Sequence, residues 1–65
     1  MIPIGTKVKA ELAKGFTYNG TIIGIVNPGE RTASGEVNLS DEPIYRVEAR
    51  WIKFNCFERE LKVVD

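Results

Sequence analysis

Basic side chains fall at outward positions of segments whose apolar and polar residues alternate as in β-strands. If segments 6–13 and 44–50 lie near each other, these side chains form a basic patch that suits the phosphates of a nucleic acid. The alternative is that they only solvate the outer face of a sheet and protect its edges. The residues concerned are Lys7, Lys9, Arg46, Arg50 and Lys53.

Three aromatic residues, Phe16, Tyr18 and Trp51, would add stacking surfaces to such a patch, as single-stranded nucleic-acid binders use. Phe16 and Tyr18 precede Asn19-Gly20, a dipeptide that favours a turn because both residues tolerate positive φ. Aromatic rings exposed in a loop also bind proline-rich segments or methylated side chains. Alternatively, the two rings close one end of the core.

The residues needed for most familiar catalytic sites are missing. Without histidine, the usual general base and the usual zinc ligand are absent. The single cysteine, Cys56, excludes an internal disulfide and a cysteine-only metal site, and we expect it to be buried. Glu58 and Glu60 share one short turn, where a carboxylate favours the start of a helical turn. We therefore predict no catalytic residues, no metal and no cofactor.

Charge is unevenly distributed along a chain that is neutral as a whole. Nine Lys and Arg residues balance nine Asp and Glu residues. The segment 21–43 is acidic, whereas the segments before and after it are basic. An acidic loop beside basic strands would orient a charged partner.

Sixty-five residues with 43% hydrophobic and 28% charged side chains are typical of one globular domain, here spanning 1–65. Neither a signal peptide nor a run of ~20 apolar residues is visible, so we expect a cytoplasmic protein without a membrane segment.

Alternation and β-branching predict the strands that must position the charged side chains. Segment 6–13 alternates, with Val8, Ala10 and Leu12 expected on the buried face. Segment 21–26 is the most apolar run, and Gly24 within it predicts a bulge or bend.

Turn-forming residues fill segment 27–43, which predicts a long loop with a short extra strand over 36–39. Segment 44–49 alternates again, with Tyr45, Val47 and Ala49 on one face. A tight turn near Arg50, or a bend in one long strand, leads into segment 51–56.

The end of the chain predicts a 3-10 turn over 57–61 and a closing strand over 62–64. We expect Trp51, Phe54 and Phe57 to belong to the core, because so short a chain needs their large apolar area. Without a long helix, four to five short antiparallel strands can enclose a core only by curling. The predicted fold is therefore all-β, a small barrel with one 3-10 turn before the last strand.

Four short elements resemble the SH3-like small-barrel superfamily, whose members include KOW and Tudor-type modules and a small accessory protein of photosystem I. The resemblance covers most of the chain except 27–43 and implies an SH3-like barrel. The elements are Gly5-Thr6-Lys7-Val8, Gly20-Thr21-Ile22-Ile23-Gly24, Tyr45-Arg46-Val47 and Glu60-Leu61-Lys62-Val63.

In SH3-like modules, the first long loop and the next one flank the ligand groove. The resemblance therefore implies a protein-binding surface made by Phe16–Asn19 and loop 27–43. The candidate contact residues are Phe16, Tyr18, Asn19, Glu30 and Arg31.

Type B dihydrofolate reductases share the same skeleton and line the pore of a tetramer with a Val-Gln-Ile-Tyr strand. The nearest segment here, Ile52-Lys53-Phe54-Asn55, lacks the glutamine and the tyrosine. An oligomeric enzyme of this kind is the second of two alternatives to the main interpretation given below.

We expect a non-catalytic binding module, a small protein-interaction or regulatory accessory protein of bacterial or phage type. The first alternative is a nucleic-acid-binding barrel that uses the basic strand face, with homo-oligomerisation left open.

Overall fold

Five antiparallel strands form a single sheet, and one 3-10 turn precedes the last strand. The predicted all-β class is confirmed. The computed structural model describes residues 1–64, and the last residue of the predicted domain, Asp65, lies outside them. None of the described residues forms a helix that is long and apolar enough to cross a membrane. The strands are β1 (Lys7–Ala13), β2 (Phe16–Val26), β3 (Ile44–Ala49), β4 (Lys53–Phe57) and β5 (Leu61–Val63), with the 3-10 turn at Glu58–Glu60.

The order of the strands, β4-β3-β2-β1-β5, requires the sheet to curl. In a flat sheet, four spacings of ~4.8 Å would place the edge strands β4 and β5 ~19 Å apart. Only the three-residue 3-10 turn joins them, and the four residue steps from Phe57 to Leu61 reach at most ~14 Å. The two edges must therefore approach each other, which gives the small barrel-like shape.

The long strand β2 pairs with a different strand on each side. Its first half pairs with β1 and its second half with β3, and Gly20 pairs with Val8 on one side and Ala49 on the other. The register with β3 shifts between Ile22 and Gly24, which confirms the predicted bulge.

Gly20 allows two strands to approach closely, and the turn predicted at Asn19-Gly20 was wrong. A Cβ atom on Gly20 would lie 2.6 Å from Val47 Cγ1 and 2.8 Å from the Glu48 carbonyl oxygen. The turn falls instead at Lys14-Gly15, where Gly15 has a φ of +86° that suits glycine.

The core consists of alternate residues from the strands and is filled largely by β-branched side chains and one tyrosine. Tyr45, Val47 and Ala49 are buried on one face of β3, as the alternation predicts, and Cys56 of β4 is buried as expected. The other buried apolar residues are Ile2, Val8, Ala10 and Ile22.

Two apolar residues expected inside lie at the surface. Leu12 is 39% exposed because the register of β1 with β2 shifts between Glu11 and Ala13 and interrupts the alternation. Trp51 is 87% exposed because it occupies the tight turn between β3 and β4, which is closed by a bond from Ala49 N to Ile52 O. Phe54 and Phe57 are half-buried.

Segment 27–43 is the predicted long loop, and one buried asparagine fastens it to the sheet. The Asn38 side chain is 2% exposed. Its Nδ2 donates to the carbonyl oxygens of Val26 and Glu42 (3.0 and 2.9 Å), and its Oδ1 accepts from Ser40 N. The extra strand predicted over 36–39 is reduced to a single bridge between Arg31 and Val37.

Candidate functional site

Charged side chains form a row across the outer face of the sheet. Residues paired across neighbouring strands point to the same side. Lys7 pairs with Thr21, Thr21 with Glu48, and Glu48 with Lys53. Three strand spacings, or ~14 Å, separate the backbones of Lys7 and Lys53 at the ends of this row. The predicted basic residues of β1 and β3 therefore share a face, although β2 lies between the two strands.

A second row adds a basic residue that the sequence analysis missed. Lys62 of β5 pairs directly with Lys9 of β1, and Lys9 pairs with Asn19 of β2. The pattern of the closing strand could place Lys62 outward, but only the pairing of β5 with β1 puts it beside Lys9.

These rows, together with Arg46 and Arg50, define what we call the basic face. It carries six cations and two carboxylates. The cations are Lys7, Lys9, Arg46, Arg50, Lys53 and Lys62, and the carboxylates are Glu11 and Glu48.

Most of the positive charge on the basic face is unpaired. The carboxylate of Glu48 lies 3.7 Å from Lys53 Nζ, in a solvent-exposed pair of the kind that contributes little to stability. Within residues 1–64, no carboxylate lies within 4.0 Å of the amino groups of Lys9 and Lys62. Like charges directly opposite each other on two strands destabilise a sheet. The fold therefore holds Lys9 and Lys62 opposite each other without an ion-pair partner among residues 1–64.

The excess of carboxylates lies elsewhere, in the long loop and the 3-10 turn. In this region Arg59 pairs with Glu42, and Arg31 donates to the Gly35 carbonyl oxygen. The six carboxylates there are Glu30, Glu36, Asp41, Glu42, Glu58 and Glu60. The predicted contrast between an acidic loop and basic strands is thus present in the folded chain.

A groove of about 510 Å³ is lined by Lys9 and Lys62 together with Glu11, Glu60 and Arg59. Two further grooves lie side by side along the rest of the basic face. The first has a volume of about 600 Å³ and is lined by Lys7, Asn19, Thr21, Glu48 and Arg50, among others. The second, of about 460 Å³, is lined by Glu48 to Lys53, including Trp51. Because Glu48, Ala49 and Arg50 line both grooves, the two form one continuous surface.

The Trp51 ring stands at the end of this surface. Its side chain is 87% exposed, and the guanidinium carbon of Arg50 lies 5.3 Å from the ring centroid. That distance is within the range of a cation–π contact. Arg50 therefore contacts the Trp51 ring, and most of the surface of the ring stays open to a ligand.

The residues predicted to bind a protein lie in β2 and in the long loop. Phe16 and Tyr18 lie at the start of β2, in a strand where we expected a loop. Phe16 is 67% exposed, whereas the Tyr18 ring lies 6.0 Å from the Phe54 ring and partly covers the core. Asn19 pairs with Lys9 and belongs to the basic face.

Glu30 and Arg31 are engaged within the long loop. Glu30 Oε1 accepts a bond of 2.8 Å from Asn27 N, and Arg31 Nη1 donates one of 2.8 Å to the Gly35 carbonyl oxygen. Over residues 1–64, no hydrogen bond or ion pair joins these two side chains to Phe16 or Tyr18. Their contacts shape the loop.

Two ionisable groups are buried within residues 1–64, and the environments of both oppose ionisation. Burial raises the pKa of the Cys56 thiol to about 11, and the negative charge of Glu60 adds to the rise. Burial likewise raises the pKa of Tyr45, whose hydroxyl donates to Glu58 Oε1 and accepts from Ile2 N. A thiol with a raised pKa is a poor nucleophile at neutral pH.

No group of three His, Cys, Asp or Glu side chains within residues 1–64 is arranged to hold a metal ion.

Comparison with known proteins found no matching family model, no matching curated protein and no matching solved structure, so the resemblance to SH3-like barrels stays a prediction.

Proposed function

We propose that the protein is a non-catalytic binding module and that its basic face binds a nucleic acid. The observation that carries the proposal is the facing pair Lys9 and Lys62, which lies at the β1–β5 edge of a face with six cations and two carboxylates. Among residues 1–64, neither lysine has a carboxylate within 4.0 Å of its amino group. Two lysines facing each other reduce the stability of the fold. Binding of a polyanion would account for this pair, because the polyanion supplies the missing negative charge. Phosphate groups bound there would release counterions and drive association.

The pattern of charge supports a local rather than a global attraction. The chain is neutral as a whole, so nucleic acid is attracted to one face and repelled by the acidic loop. This polarity orients the ligand along the two rows. With about four phosphates bound, the affinity for a single strand would fall with salt at a log–log slope of about −3.

The test is fluorescence anisotropy of labelled DNA and RNA oligonucleotides at several salt concentrations. We expect Lys7→Gln with Lys9→Gln to weaken binding at least tenfold and to reduce the steepness of the salt slope by about 1.4. Lys14→Gln is the matched control, because Lys14 is exposed in the β1–β2 turn and lies off the basic face. Absence of binding at low salt, or equal losses in the two variants, would remove the proposal.

A second candidate function, protein binding, is favoured by the exposed ring of Phe16. An aromatic side chain that is 67% exposed at a hairpin end can anchor a protein partner. If this is the function, Phe16→Ala abolishes capture of a specific partner from the native host, whereas Leu39→Ala does not. Leu39 is a suitable control because it is 92% exposed in the long loop.

A further inference from the structure

Trp51 has no structural role that explains its exposure. The β3–β4 turn is closed by the backbone bond from Ala49 N to Ile52 O, which needs no indole ring. The core is filled without it, and the chain contains no other tryptophan. Burying an indole contributes more apolar area than burying almost any other side chain, so leaving 87% of it in water forgoes stability that a 65-residue chain could use.

The position of the ring matches the chemistry of a base-stacking site. Arg50 lies against the ring, and Lys53 lines the same groove. The adjoining groove brings Lys7 to the same surface. A cationic track that ends at an exposed aromatic ring is the combination by which proteins bind single strands, since the cations contact phosphates and the ring stacks on a base.

The exposed ring discriminates between classes of polyanion. In a duplex the faces of the bases are covered by their neighbours, and in a polyphosphate there are no bases. Away from the ends of a duplex, only an unpaired base offers a free π-face to Trp51. On the basis of the proposed function, we infer that the ligand of the basic face is a single-stranded nucleic acid, one base of which stacks on the Trp51 ring.

The sole tryptophan makes the test direct, because all indole fluorescence comes from Trp51. The protein is titrated at low salt with oligothymidylate, with a duplex of equal length and with polyphosphate. Stacking predicts strong quenching by the single strand and little quenching by the duplex or by polyphosphate at equal saturation. Absorption by each ligand is corrected with free tryptophan.

Variants separate stacking from charge. We expect Trp51→Ala to weaken binding of oligothymidylate about 5- to 150-fold, the range of base stacking on an aromatic side chain. Trp51→Phe should retain most of the affinity, because a smaller ring still stacks. Phe16→Ala is the matched control, an exposed aromatic off this surface, and should bind as the unaltered protein does.

The outcomes distinguish this inference from the proposed function. If Lys7→Gln with Lys9→Gln weakens binding but Trp51→Ala does not, the basic face binds nucleic acid and the stacking inference is wrong. Equal quenching and equal affinity for duplex and single strand would also overturn it. If none of the nucleic acids binds at low salt, both fail together.

Discussion

The inner and outer faces of the same sheet differ in whether their polar and charged side chains have partners. On the inner face each buried polar group has a partner, as the Tyr45 hydroxyl shows by accepting from Ile2 N at 3.1 Å and donating to Glu58 Oε1 at 2.9 Å. No buried side-chain nitrogen or oxygen in the described part of the chain lacks a partner. On the outer face, by contrast, Lys9 and Lys62 face each other, and no carboxylate of residues 1–64 lies within 4.0 Å of either amino group.

This difference separates the residues that serve folding from those that serve binding. A domain of this size has a small margin of stability, so each inner position must contribute. The outer cations contribute little to that margin, and the repulsion between the facing Lys9 and Lys62 reduces it. Substitutions on the inner face should therefore change stability, whereas those on the outer face should change affinity.

The largest effect is expected for Tyr45→Ala, since Tyr45 is fully buried at the centre of the core. Removing a buried aromatic ring costs about 3–5 kcal/mol, which approaches the whole stability of a small domain. Urea denaturation followed by circular dichroism measures the loss. Tyr45→Phe, which keeps the ring and removes only the hydroxyl, should cost about 1–2 kcal/mol. Equal losses in the two variants would contradict this account of the core.

Alkaline pH should destabilise the inner face. The folded-state pKa of Cys56 is raised from 9.0 to about 11, so the folded protein holds this proton more tightly than the unfolded chain. The stabilisation is complete below pH 9 and is lost as pH rises towards 11, by about 1 kcal/mol per pH unit. In Cys56→Ala the decline should begin later, above pH 10, where Tyr45 takes over. An unchanged pH profile in that variant would refute the assignment.

Gly20→Ala should destabilise the protein by about 1–3 kcal/mol, because the new Cβ meets Val47 Cγ1 and the backbone of Glu48. Gly24→Ala is the matched control in the same strand, where the nearest atom to a new Cβ is Arg46 Cβ at 3.6 Å. Thermal melts of the two variants compare the sites. Similar melting temperatures would mean that β2 and β3 do not approach as closely as described.

The smallest effect is a gain of affinity from Glu48→Gln. This change removes a carboxylate from the middle of the charged row and frees Lys53 from its ion pair. We expect binding of a single-stranded oligonucleotide to tighten about two- to fivefold at low salt, in line with the modest energy of exposed charge pairs. Glu36→Gln, which removes an equal charge from the acidic loop, should change affinity less. Weaker binding by Glu48→Gln would contradict the role of the basic face.

Local patterns predicted the features that depend on near neighbours in the chain. Alternation identified the buried face of β3, and glycine within an apolar run identified the bulge at Gly24. Such patterns could not predict the contacts between segments that are distant in the sequence. The sequence predicted a turn at Gly20. The actual reason for this glycine is the close approach of Val47, which depends on how β2 pairs with β3 and cannot be read from near neighbours. Lys62 was missed because its neighbour Lys9 lies on a strand 53 positions earlier.

Trp51 was misassigned for a different reason. Large aromatic residues usually stabilise small cores, so placing it inside was the better prediction from composition. The core is closed instead by Tyr45 and β-branched residues, and Trp51 is left in the turn. This exposure leaves the ring free to act as the stacking surface that the sequence also suggested.

Lys62→Gln tests the central claim most directly, because stability and affinity should move in opposite directions. Relief of the repulsion with Lys9 should raise the free energy of unfolding by a few tenths of a kcal/mol. Loss of one phosphate contact should weaken binding of a single-stranded oligonucleotide severalfold and reduce the steepness of the salt slope by about 0.7. Unchanged affinity with an unchanged salt slope would show that the facing lysines do not serve nucleic-acid binding.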